Sequence, residues 1–176
     1  MRSFRGKELA QVAQTVEMAG ARPSRVQRVR IFYLLAHLHE RRERLLSEIL
    51  RPHNLTLVQW RILYALGKLS NRTMNEVADF LVLDRTSLTR AVDKLVERGL
   101  MLRAEVAHDR RLTELSLTAA GRTLREDLLE QNIEMCERLV ADLDQESLDD
   151  ASGVLTHVLE RLVGHRAGVR RIAELV

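Results

Sequence analysis

One stretch of this 176-residue chain abandons helical spacing. Elsewhere apolar residues recur three and four apart, as along one face of an α-helix. Past Gly99 the period falls to two: Leu112, Glu114 and Ser116 alternate with Thr113, Leu115 and Leu117. The runs "LMLRAEV" (100–106) and "LTELSL" (112–117) bracket the polar "AHDRR" (107–111). Two alternating runs around a polar turn read as a β-hairpin. A single hairpin set among helices makes the chain mainly α with a two-stranded β wing. The composition agrees: 8 Gly, 2 Pro and 3% aromatic residues fit neither a loop-rich nor a β-rich protein.

Capping signals divide the helical part. Leu9, Val12, Ala13 and Val16 mark a short amphipathic helix in an N-terminal extension, residues 1–23. Ser24 followed by Gln27 reads as a capping box for a long helix over about 25–51. Thr56 caps a helix carrying Trp60, Leu63, Tyr64 and Leu66, and "GKLSNR" (67–72) breaks it. Thr73 with Glu76 opens the next helix, and Asp84 opens another whose apolar side is Leu88, Ala91, Val92 and Leu95. Gly99 stands where that helix must stop. After the hairpin, Thr118 caps a helix over about 119–143, with Leu124, Leu128, Met135, Leu139 and Leu143 facing inward. Asp144 caps a last helix with Leu148, Ala151, Leu155, Val158 and Leu162 near heptad spacing. Helix, turn, helix, then hairpin, inside a helical frame, is a winged helix-turn-helix. The expected division is a DNA-binding lobe at 56–122 and a helical dimerisation region at 24–55 and 123–176.

Charge is distributed unevenly. Residues 1–55 carry 11 Lys and Arg against 5 Asp and Glu, and residues 56–122 carry 11 against 8. Residues 123–176 carry 6 against 12. A basic beginning and middle suit a polyanionic partner, and an acidic end suits another task. No window holds ~18 consecutive apolar residues, the length a membrane helix needs. The first residues, "MRSFRGKELAQ", lack the apolar run of a signal peptide. A cytoplasmic location is therefore expected, with no membrane partner. The single cysteine, Cys136, has no partner for an internal disulfide, and Glu134 and Glu137 beside it oppose a reactive thiolate.

Two clusters carry the chemistry. Arg85, Thr86, Ser87, Thr89 and Arg90 crowd the N-terminal end of one helix, where a recognition helix meets base edges in a major groove. Hydroxyls bond bases or phosphates, and arginine binds guanine through two parallel bonds. Arg110 and Arg111, beside Asp109, stand at the hairpin tip, where the negative potential of a narrow minor groove attracts arginine.

The stretch "LVLDRTSLTRAVDKLVERGLMLRAEVAHDRRLTELSLTAAGR" (81–122) resembles the DNA-binding segment of the MarR (multiple antibiotic resistance regulator) family. "DRR" followed by "LSLTAAG" is its most specific part, and the likeness extends more loosely to "LTLVQWRILYAL" (55–66). The resemblance implies a homodimer joined by its first and last helices. It also implies a palindromic double-stranded DNA operator, usually repressed, and a small aromatic effector. It makes Arg85, Thr86, Ser87, Thr89 and Arg90 the major-groove set, Arg111 the minor-groove arginine and Asp109 the residue that orients it. The extension at 1–23 is longer than the family's usual start.

For an effector, Tyr33, His37 and Arg41 form one stripe at i, i+4, i+8, and Trp60 and Tyr64 form a second pair. They would supply aromatic walls, a polar tip and a cation for a carboxylate. Trp60 and Tyr64 are equally ordinary core positions, and Arg41 has glutamates near it, so both readings stand. Redox or metal response, or no small effector at all, are the alternatives. His37 and His39 point about 200° apart on a helix and do not chelate one ion together. An enzyme is disfavoured: "HERRE" (39–43) puts Glu43 where a zinc helix needs its second histidine, and no phosphate loop or nucleophile–base pair is present. No cofactor is expected.

Overall fold

The computed structural model describes residues 24–68, 72–106 and 109–163. The expected helix within 1–23 lies outside them. Two compact units divide the chain, residues 1–42 and 43–176. The described part of the first is the helical segment 25–42.

Helix α1 (Arg25–Leu50) is opened by the reciprocal bonds expected of Ser24 and Gln27: Ser24 N donates to Gln27 Oε1 at 2.8 Å, and Gln27 N to Ser24 Oγ at 3.2 Å. A 3-10 turn (Arg51–His53) with Asn54 in the left-handed region, φ 50°, leads to α2 (Leu57–Lys68). Then follow β1 (Arg72–Thr73), α3 (Met74–Leu81), α4 (Arg85–Glu97), β2 (Met101–Val106), β3 (Asp109–Leu117), α5 (Ala119–Val140) and α6 (Gln145–Val163). The second unit is built around α2, which packs against α3, α4, α5 and β3. Trp60, Ile62, Leu63, Ala65 and Leu66 of α2 are buried among Leu46, Leu50, Val77, Leu88, Leu95, Met101, Leu115 and Leu128. Each fully buried leucine or isoleucine contributes ~1.5–3 kcal/mol by leaving water.

The sheet has three strands, in the order β1–β3–β2, all antiparallel. The expected two-stranded wing is the β2–β3 hairpin, and the short β1 adds a third strand at the other edge of β3. Arg72 and Thr73 pair with Leu115 and Glu114. Two residues are too few to show a period, and "GKLSNR" had read only as a break. β3 also begins at Asp109, earlier than the alternation suggests, and the β2–β3 register shifts between Glu105 and Val106.

A correction concerns the helix expected over about 119–143, which ends at Val140. Leu128 and Met135 are buried as expected, but Leu139 and Leu143, expected inward, are 52% and 44% exposed. Periodicity identifies an apolar face without saying what covers it.

Candidate nucleic-acid interface

Local chemistry fixes where α4 begins and ends. Asp84 accepts from Ser87 N at 2.9 Å, so the first turn has a capped amide. The Ser87 hydroxyl, followed by its N–H, holds the Asp84 carboxyl below the usual aspartate range. At the other end Gly99 takes φ 67°, Leu100 N donates to Leu95 O and Gly99 N to Val96 O. This pair of bonds is a Schellman stop, open to glycine because it lacks a Cβ. The apolar back of α4, Leu88, Ala91, Val92 and Leu95, is buried. Burial of that side leaves Arg85, Thr86, Ser87 and Arg90 exposed along the opposite one, with Thr89 half-buried.

Guanidinium groups tie the elements around this helix to one another. Arg61 of α2 donates to Leu81 O at 2.8 Å and satisfies the end of α3. Arg98, just past α4, donates to His53 O and Asn54 O. Thr118 caps α5 through Gly121 N at 3.0 Å and also donates to Gly99 O at 2.7 Å. A Cβ on Gly121 would overlap the Leu100 carbonyl oxygen. The "LTAAG" run therefore seats α5 directly on the turn between α4 and the hairpin.

Sequence reasoning missed several residues. A cleft of about 220 Å³ lies between the start of α3, the start of α4 and the sheet, lined by Thr73, Met74, Asn75, Arg85, Thr89, Arg103 and Thr113. Arg103 pairs with Asp93 of α4 at 2.5 Å. Its register partner is Leu115, and Met101 pairs with Leu117, so Arg103 occupies the inward face of β2. An arginine at an inward position of an alternating strand was the available signal. The structure also qualifies Thr89: its hydroxyl donates to Arg85 O at 2.7 Å, which commits its proton within the helix.

Asp109, Arg110 and Arg111 were expected at the tip. Their backbone opens β3, and their side chains lie outside the described residues. The remaining candidates fall on separate helices. On α1, Tyr33 and His37 meet edge to face, 4.4 Å between ring centroids, and Arg41 is exposed. On α2, Trp60 and Tyr64 are 5.7 Å apart, but Trp60 is only 4% exposed and packs within the core. Tyr64 is half-buried and lies beneath the guanidinium of Arg125.

A capped, apolar-backed helix that shows arginines and hydroxyls, followed by an antiparallel hairpin, defines a winged helix-turn-helix DNA-binding protein. Residues 53–112 match the model of the MarR family. The repressor of the homoprotocatechuate degradative operon of Escherichia coli is 30% identical over 115 residues, 65% of this chain and 75% of that one. The transcriptional repressor IacR of Pseudomonas putida is 25% identical, covering 75% and 74%. A crystal structure of a cysteine-to-serine mutant of E. coli MarR complexed with operator DNA superposes with a TM-score of 0.66 at 26% identity, over 74% of this chain and 94% of that one. The chain belongs to the MarR family of winged-helix transcriptional regulators, which are not enzymes. No described helix is long and apolar enough to cross a membrane.

Proposed function

We propose that this regulator is a homodimeric repressor that binds a two-fold symmetric operator and releases it when a small aromatic carboxylate binds. The observation that carries the DNA part is the exposed face of α4: Arg85, Thr86, Ser87 and Arg90 stand free of the core that buries Leu88, Ala91, Val92 and Leu95. Arg85, Thr86 and Arg90 read bases in a major groove, with Ser87 at the phosphate-favouring helix start and Thr89 as an acceptor. Arg111 enters the neighbouring minor groove, oriented by Asp109, and Arg110 adds a phosphate contact.

Dimerisation is supported by apolar side chains that the described residues leave exposed. On α1, Val26, Val29, Phe32, Leu34 and Leu38 are exposed, and in the second unit so are Leu139, Leu143, Val154, Leu155 and Leu162. Surfaces of that extent mark association. Segments 24–55 and 123–176 are assigned to the dimer and 56–122 to DNA. The aromatic carboxylate is suggested by the E. coli relative, which represses an operon named for the degradation of such an acid.

A gel shift with DNA from upstream of the protein's own gene, with and without salicylate, tests the reading. We expect a salt-sensitive complex that salicylate dissociates and that Arg90→Ala weakens. Binding to random DNA as tight as to upstream DNA at matched salt would reject the operator.

A further inference from the structure

The cleft beside α4 gathers positive charge and hydrogen-bond donors from four elements. Arg85 and Arg103 bring guanidinium groups to it from α4 and β2. Thr113 of β3 adds a hydroxyl and Asn75 of α3 an amide. Met74 and Asn75 both line it, and their N–H groups belong to the first turn of α3, where a helix offers no acceptor. Thr73 and Thr89 line it as well, but their hydroxyls are committed to Glu76 and to Arg85 O. Asp93 holds one nitrogen of Arg103, and one carboxylate does not exhaust the five N–H donors of a guanidinium. Two guanidinium charges against that one carboxylate leave the cleft a single positive charge; Glu76, nearby, is paired with Arg72.

A single positive charge among N–H and O–H donors complements a phosphodiester, which carries one negative charge. We infer that the cleft seats one phosphate of the DNA backbone and that Arg103 clamps it. The inference rests on the reading of α4 as the helix that enters a major groove. A helix is ~10–12 Å across and the groove ~12 Å wide, so α4 fills it from wall to wall. Arg85 and Thr89 border the cleft from the first turns of α4, so the cleft meets a wall of the groove, and the walls are phosphate. Asp93 keeps the Arg103 guanidinium beside α4, ready for that contact. A phosphate held there ties β2 and α4 to one point of the backbone. It fixes how the lobe sits on DNA and carries no sequence information.

The test is fluorescence anisotropy of the full chain on two duplexes, upstream DNA and its shuffled sequence, over a series of KCl concentrations. Arg103→Gln, Arg103→Lys and Asp93→Asn are compared with the unaltered chain. The pair that Arg103→Gln breaks is part-exposed and worth little to folding, so the variant folds. We expect it to bind both duplexes about tenfold more weakly. Its salt slope should be smaller by about 0.9 for each cleft on the DNA. Arg103→Lys should keep the slope. Asp93→Asn breaks the same pair but leaves the cation, and should bind at least as tightly as the unaltered chain. Methylphosphonate linkages, neutral and placed one at a time, locate the contact. At one linkage in each half-site the replacement should weaken the unaltered chain and leave Arg103→Gln unmoved. An unchanged slope in Arg103→Gln, or a scan with no such linkage, overturns the seat. So does an equal loss in Asp93→Asn, which would make the pair a brace between strand and helix. Potassium phosphate that displaces DNA from the unaltered chain, but not from Arg103→Gln, more than KCl of equal ionic strength would give the cleft to a free anion and overturn the DNA assignment. Equal affinity of the unaltered chain for both duplexes would reject the operator and leave the seat standing, because phosphates are common to both. A preference for upstream DNA that Arg103→Gln keeps at full affinity would do the reverse, and no binding to either duplex would end both.

Discussion

Arg98 holds Asn54: its Nη1 donates to the Asn54 carbonyl at 3.0 Å, while Nη2 donates to the preceding carbonyl, of His53, at 2.8 Å. The contact joins the end of α4 to the turn before α2, across more than forty residues of sequence. Asn54 presents its carbonyl there because it takes the left-handed conformation that asparagine tolerates. Arg98→Ala should lower stability by about 1 kcal/mol, since both bonds are charge-assisted but exposed. Arg98→Lys should recover only part, because an ammonium lacks the fork that reaches two carbonyls. Urea denaturation of the three proteins checks the order.

Gly121 and Gly153 make opposite predictions. A Cβ on Gly121 meets the backbone oxygen of Leu100, while one on Gly153 meets nothing within 4 Å. Backbone cannot swing aside as a side chain can. Gly121→Ala should therefore cost about 1–3 kcal/mol, as overpacking does. Gly153→Ala, in the middle of α6, should gain about 0.5–1 kcal/mol from helix propensity. Melting curves that put the two variants on the same side of the unaltered chain would contradict the packing described.

How much of this was legible follows from the range of each interaction. Ser24 with Gln27, Thr73 with Glu76, Asp84 and Asp144 were readable because a cap is settled within three residues. The stop at Gly99 was readable for the same reason. β1 was not, because two residues become a strand only through Leu115 and Glu114, some forty positions away. Leu139 and Leu143 lie on an apolar stripe that the described residues leave exposed. Arg125 hid inside the polar-looking "REDLLE" (125–130), and its burial depends on Gly67 and Tyr64 of another helix.

Val82 stores strain in the turn of the helix-turn-helix. It takes φ 52° and is 89% exposed. The left-handed region costs a side-chain-bearing residue ~1–2 kcal/mol, and a branched Cβ makes it worse. Val82→Gly relieves that strain but loosens the unfolded chain, so a net gain of up to about 1 kcal/mol is expected. A lower urea midpoint would show that the exposed valine makes a stabilising contact after all.

Acid should weaken the fold through its helix caps. The Thr73 N–H and hydroxyl, then Arg72, lower the Glu76 carboxyl; the Ser87 hydroxyl and N–H lower Asp84; the Ser147 N–H and hydroxyl lower Asp144. Each folded-state pKa lies below its unfolded value, so the unfolded chain takes up protons first as pH falls. The stability these groups contribute is complete above the usual carboxylate range, about pH 4. It is lost as pH falls below that range through the folded-state values. Asp84→Asn keeps a capping oxygen without a titrating proton. Its urea midpoint should therefore fall less between pH 6 and pH 3 than that of the unaltered chain. Parallel curves would mean that Asp84 titrates alike in both states.

Arg90 and Thr89 are adjacent on α4 and should differ sharply in effect. Arg90 is exposed, whereas the Thr89 hydroxyl already donates to Arg85 O. Only an acceptor role remains to Thr89, so Thr89→Ala should alter operator affinity little. A bidentate arginine on guanine discriminates by about 1–3 kcal/mol against the wrong base, and a phosphate contact by nothing. Arg90→Ala should thus lose roughly 5- to 150-fold on the operator and far less on a shuffled sequence. Fluorescence anisotropy with both DNAs at one salt concentration gives the two numbers. An equal loss on both would make Arg90 a phosphate clamp, and sequence reading would then fall to Arg85 and Thr86.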